Sequence, residues 1–189
     1  VWLEGGLRVD GVQAVSRQGV LDLRAGVVID ASGDADVIAM AGLPFTVGRD
    51  GVVQNPTMIF RLQGVDVARV MARYGPDTIM PGHVSDLIKA KHDSGEYYLP
   101  RAKIFLFPTT RPNELLCNAT RLIGRDGREL LAVKADDLTE AEFEGRRQVR
   151  EYARLLRDHV DGCQLSWVND TGVQVGVGEH ALRHEVGVG

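Results

Sequence analysis

Apolar and polar residues alternate through LRVDGVQAVSRQGVLDLRAGVVIDAS, and Gly11, Gly19 and Gly26 punctuate the alternation. A period of two broken by glycines predicts three short strands in a meander. The last is buried on both faces, where Val27, Val28 and Ile29 run together. A short helix, DADVIAMA, then starts at Asp34 and stops at Gly42 and Pro44. GRDGVVQNP is a polar loop, and TMIFRLQG has strand composition. VDVARVMARYG and HVSDLIKAKHDSG carry apolar residues at helical spacing and end on Gly75 and Gly95. KIFLFP and ELLCNATRL are predicted strands joined by the turn TTRPN. QLSWVND and GVQVGV are predicted strands near the end of the chain.

The strongest helical signal lies between them. Thr139 and Glu142 have the spacing of a capping box, with Leu138 and Phe143 at the staple positions. From there Val149, Tyr152, Ala153, Leu156 and Val160 make one apolar face. Arg146, Arg147, Arg150, Arg154 and Arg157 fall largely on the other, as on a solvated face. Strands and helices do not follow each other as βαβ units. The expected class is α+β, a mixed sheet with helices on one face.

Composition narrows the function. The 189 residues are 44% hydrophobic and 25% charged, which is ordinary for a globular chain. A net charge of −4 without a basic block argues against nucleic acid as a partner. No apolar run approaches the roughly 18 residues of a membrane helix. Cys117 and Cys163 lack metal-site or redox-motif spacing, and a reducing, cytoplasmic setting suits them.

The small-residue turn Ala31-Ser32-Gly33 lets something approach the backbone between a strand and a helix. Asp34 and Asp36 at the helix start cap it well but repel a phosphate. Two readings stay open: a turn that faces the hydroxyls of a ribose or ribityl chain, and a plain capped strand-turn-helix.

The segment VVIDASGDADVIAMAGLPF resembles the hhhDATGDAD stretch of FAD-dependent oxidoreductases with a two-dinucleotide-binding-motif flavin domain, with Ser32 where threonine is usual. NPTMIFRLQGVD, NATRLIGRDG, LTEAEFEGRRQVREYARLLRDHVDG and VQVGVGE follow in the order of that family. The resemblance implies that Ala31, Ser32, Gly33 and Asp34 lie along FAD, and that Asn118 and Arg121 sit in the substrate-side sheet. If NATR is a strand, those two side chains point to opposite faces, and the bland alternative is a polar sheet edge.

The same resemblance exposes differences. The family opens with a strand, a GxGxxG turn and a helix that hold the pyrophosphate, and no such stretch occurs here. Where the family usually reads GVRETRR, this chain has GVGEHALRH, with Gly178 at the arginine position and Arg183 as a displaced candidate. The chain is therefore expected to be an interior piece of a longer protein. Residues 1–45 would be a partial FAD-binding domain, a β-meander with the strand-turn-helix remnant of an α/β fold. Residues 46–175 would be the substrate-side α+β domain, and 176–189 a return segment.

The parent is expected to move electrons between flavin and a small organic molecule, whereas this chain alone is expected to be inactive. A binding or scaffold module that kept the fold and lost the cofactor is the alternative. His180 and His184 share an i, i+4 spacing, but a third ligand is not readable and no metal is expected.

Overall fold

The structure is a computed structural model that describes residues 2–4, 8–33, 35–45, 48, 53–131 and 134–177, with the backbone alone for 2–4. These residues fall into two compact units, one within Val1–Val53 and one within Gln54–Gly178.

The first unit is built on β1 (Trp2–Glu4), β2 (Arg8–Ser16) and β3 (Gly19–Arg24), antiparallel in that order. The β2–β3 hairpin closes over Arg17 and Gln18, with Gly19 at φ 109° and the Ser16 hydroxyl accepting from the Gln18 amide. Gln13 and Asp22 pair across the strands, as do Arg24 and Asp10. Gly11 is not the break that the alternation suggested. It lies within β2, and a Cβ there would run into the Leu23 carbonyl oxygen, so glycine permits the close strand approach.

The buried strand expected to end in Val27, Val28 and Ile29 is absent, and Val27 and Ile29 are 79% and 84% exposed. A strand buried on both faces needs hydrogen-bonded neighbours and a layer over each face. No described strand pairs with this segment. The helix after it, α1 (Asp36–Met40), starts later than expected, behind Ala35 in a left-handed conformation. Asp34 lies outside the described residues.

The second unit contains β4 (Phe60–Gln63), α2 (Val67–Tyr74), α3 (Gly82–Asp93), β5 (Phe105–Pro108), β6 (Glu114–Asn118), α4 (Ala135–His159) and β7 (Trp167–Thr171). Its sheet runs β5-β6-β4-β7. The class is α+β as expected, with every pairing antiparallel rather than mixed. GVQVGV forms no strand. Gly176 makes a single bridge to Thr57, and its glycines leave few side chains to pack along the sheet edge.

Alternation explains the core. Phe60 and Leu62 of β4, Leu115 and Cys117 of β6, and Leu106 of β5 share one face through the pairs Phe60↔Cys117, Leu62↔Leu115 and Leu106↔Cys117. They join one buried cluster with Val70 of α2, Val84 and Ile88 of α3, and Val149, Tyr152, Leu155 and Leu156 of α4. The predicted apolar face of α4, Val149 to Val160, is buried throughout.

The start of α4 is a correction. The helix begins at Ala135, four residues before Thr139. The Thr139 hydroxyl donates back to the Ala135 carbonyl at 2.8 Å, so it is an interior residue and not a cap. Phe143 is 69% exposed and makes no staple. Asp136 and Asp137 supply the acidic first turn that the helix dipole favours. Asp137 also accepts from the Leu131 amide and pairs with Arg128. Glu142 turns its carboxylate to Arg146 and to the Val175 amide. On the polar face, Arg147 and Arg154 are not simply solvated. Their guanidinium groups lie 4.0 and 4.1 Å from the ring centroids of Tyr98 and Tyr97.

Candidate functional site

Two places are candidates for a functional role, one in each unit. In the first, the turn before α1 is organised by Asp30. One carboxylate oxygen accepts from the Ser32 amide at 3.0 Å and the Ser32 hydroxyl at 2.7 Å. The other accepts from the amides of Val37 and Ile38 at 2.9 and 3.1 Å, and the Ser32 hydroxyl accepts from the Asp36 amide. The Ser32 hydroxyl, then the Ser32 amide and the Ile38 and Val37 amides, hold the Asp30 carboxyl below the ordinary range. The amides at the start of α1 thus already have an anionic partner from the chain itself. Ala31, Ser32 and Gly33 are exposed, and Gly33 sits at φ 90° with open space where a Cβ would point. The sequence reading overlooked Asp30, although Asp-x-Ser at the end of an apolar run is the composition of an Asx turn.

In the second unit, Gln54, Asn55, Thr57, Arg101, Asn118, Thr120 and Arg121 line a cavity of about 290 Å³. Asn118 and Arg121 therefore meet in one cavity. The opposite-face reading required a strand through both, and β6 ends at Asn118, so alternation no longer governs Arg121. The Asn118 side-chain oxygen accepts from Arg101 Nη1 at 2.7 Å, and Arg101 also donates to the Thr120 carbonyl at 3.3 Å. Arg121 Nε donates to the Asn55 oxygen at 2.8 Å, while Asn55 Nδ2 is buried without a partner. Among the described residues no carboxylate lines the cavity and neither arginine forms an ion pair. Burial lowers the Arg101 pKa, and the nearby Arg121 charge lowers it further.

Helix α4 sets both arginines in place. Tyr152, fully buried, donates to the Arg101 carbonyl at 2.7 Å and accepts from its amide at 2.8 Å. One turn earlier, Gln148, also fully buried, accepts from the Arg121 amide at 3.0 Å and donates to its carbonyl at 2.9 Å. Gln148 donates in turn to Glu144, which receives two bonds from Arg147. The i, i+4 spacing puts Gln148 and Tyr152 one above the other on the buried face. Thr120 completes the frame, accepting from the Met58 amide at 2.7 Å and contacting the Thr57 hydroxyl at 2.9 Å. Sequence reasoning missed Arg101, Gln148 and Tyr152 as site-forming residues. The available signal was a glutamine beside the apolar stripe of α4.

Among the described residues, no three His, Cys, Asp or Glu side chains gather as a metal-binding group, and His180, His184, Gly178 and Arg183 lie outside those residues. No described helix is long and apolar enough to cross a membrane. No curated protein and no solved structure matches the chain. A family model described as FAD dependent oxidoreductase matches residues 1–183. With nearly the whole chain matched, the protein belongs to the FAD-dependent oxidoreductase family, and FAD is the cofactor of that family.

Proposed function

We propose that the second unit is the substrate side of a flavin-dependent oxidoreductase and that the first is part of its flavin side. Electrons would pass between FAD and a small organic molecule. The observation that carries this reading is the cavity around Asn118 and Arg121, in a chain of a FAD-dependent family. Bound flavin supplies the redox chemistry, and the protein's task is to bind and orient the substrate. Arg101, Asn118, Arg121 and Asn55 are polar groups suited to that task, because α4 fixes the backbones of both arginines.

The described residues fit only part of the cofactor. The exposed backbone of Ala31, Ser32 and Gly33 can lie against its hydroxyl-bearing portion, and Asp34, the next residue in sequence, is proposed as an acceptor. A pyrophosphate needs free amides at a helix start, and those of α1 are taken by Asp30 and Ser32. The same filled amides favour the second reading, a binding or scaffold module that keeps the substrate-side fold without flavin. The proposed setting is cytoplasmic, with a small molecule and not nucleic acid as partner.

An absorbance spectrum after gel filtration tests both readings. The 189-residue chain should purify colourless, and a longer natural protein containing it should carry flavin. A yellow 189-residue chain would place the whole cofactor site within it. A colourless longer protein would favour the scaffold reading.

A further inference from the structure

We propose that the cavity around Arg101 and Arg121 is a carboxylate-binding site, and that the small molecule taken by the second unit is an organic acid. This rests on the reading of that unit as the substrate side. Two cations line one cavity of about 290 Å³, near the lower end of small-molecule pockets. Their protein partners there are the neutral oxygens of Asn118, Thr120 and Asn55. Neutral acceptors orient a guanidinium without neutralising it, and the half-buried Arg101 bears both a burial cost and the like charge of the exposed Arg121. A carboxylate relieves both costs and matches the planar guanidinium donors. Asn55 Nδ2, buried and unpartnered, is a further donor in the wall.

The Arg121 side chain is exposed and that of Arg101 half-buried, but both backbones are anchored from the core. Each backbone is held on both its N–H and its C=O by a fully buried side chain of α4, Tyr152 for Arg101 and Gln148 for Arg121. The Arg101 guanidinium also lies 5.1 Å from the ring centroid of Phe105, the cross-strand partner of Asn118. This contact, with the hydrogen bonds to Asn118 and Thr120, holds the Arg101 guanidinium at the cavity wall.

The test is a nuclear magnetic resonance titration of the 189-residue chain, which needs no flavin, following the Nε–H signals of Arg101 and Arg121. Acetate and benzoate are the probes, benzamide is the neutral counterpart and inorganic phosphate the competing anion. Acetate or benzoate should shift both signals saturably, and benzamide should not. Arg121→Gln and Arg101→Gln should each weaken binding by about tenfold or more, the scale of one charge-assisted bond. Arg150→Gln, on the exposed face of α4, should leave it unchanged.

Arg121→Gln keeps the backbone bonds to Gln148, so it remains informative if Arg101→Gln fails to fold. The proposal is overturned if neither carboxylate shifts the signals, if benzamide binds equally, or if both variants bind as the parent does. Phosphate binding with the same arginine dependence and no carboxylate binding also overturns it, and identifies a phosphate site instead. The flavin reading stands or falls separately, on absorbance.

Discussion

At the scale of single residues, Tyr152 joins the packing of the molecule to its candidate site. Its ring belongs to the core, while its hydroxyl both donates to and accepts from the backbone of Arg101. Burial pushes the phenol well above its ordinary pKa, so it stays protonated and can make both bonds. Tyr152→Phe keeps the volume and leaves two polar backbone groups short of a partner. It should cost about 1–3 kcal/mol, read as a lower urea midpoint with an unchanged slope. An unaltered midpoint would show that this clamp contributes nothing to stability. The sequence marked Tyr152 as a core position because its spacing fits the apolar stripe. It could not mark the hydroxyl, whose partner lies 51 residues away.

Elements show where local signals mislead. Thr139 and Glu142 have capping-box spacing, yet the helix starts at Ala135 and Thr139 lies inside it. Loss of a true cap costs about 0.5–2 kcal/mol. Here alanine is the better helix former at an exposed interior position by a few tenths of a kcal/mol, up to about 0.7. Thr139→Ala should therefore leave the melting temperature unchanged or slightly raised. A drop of several degrees would restore the cap.

At α1 the anchoring side chain is Asp30, six residues before the helix begins. Its folded pKa is depressed, so its stabilisation is complete above the unfolded value of about 3.9 and is lost as pH falls through the lower folded value. The amide signals of Val37 and Ile38 should stay constant from neutral pH to about 5 and move only below about 4. Movement centred near neutrality would exclude Asp30 as their partner. Asp30→Asn should displace the same two signals at every pH, because the amide side chain has one oxygen where the carboxylate uses two.

On the scale of the whole molecule, the two units differ in how much they bury. Every residue of β3 is exposed, whereas Phe60 and Leu62 of β4 are at most 1% exposed within the core. Low burial means cheap local opening. The amides of Val20 to Arg24 should exchange with solvent much faster than those of Phe60 to Gln63. Equal protection in the two sheets would mean that the hairpin opens only with the core.

What the sequence determined by itself was whatever depends on short-range periodicity. β4, β5, β6, α2, α3 and the buried face of α4 were all legible, because a period of two or of 3.6 puts apolar side chains on one surface whatever the neighbours are. The ordered motifs were enough to place the chain in its family, which the match over residues 1–183 shows. Tertiary structure decided the rest. The run Val27 to Ile29 is apolar enough for a buried strand, but apolar character cannot supply the neighbouring strands that burial requires. Asn118 and Arg121 were legible as polar residues near a strand end. The cavity that contains both exists because β6 stops at Asn118 and because Arg101, from the loop before β5, meets them there. Gln148 and Tyr152 fix that arrangement from a helix further along the chain. No local pattern encodes such contacts, because they become favourable only once the core has brought the elements together.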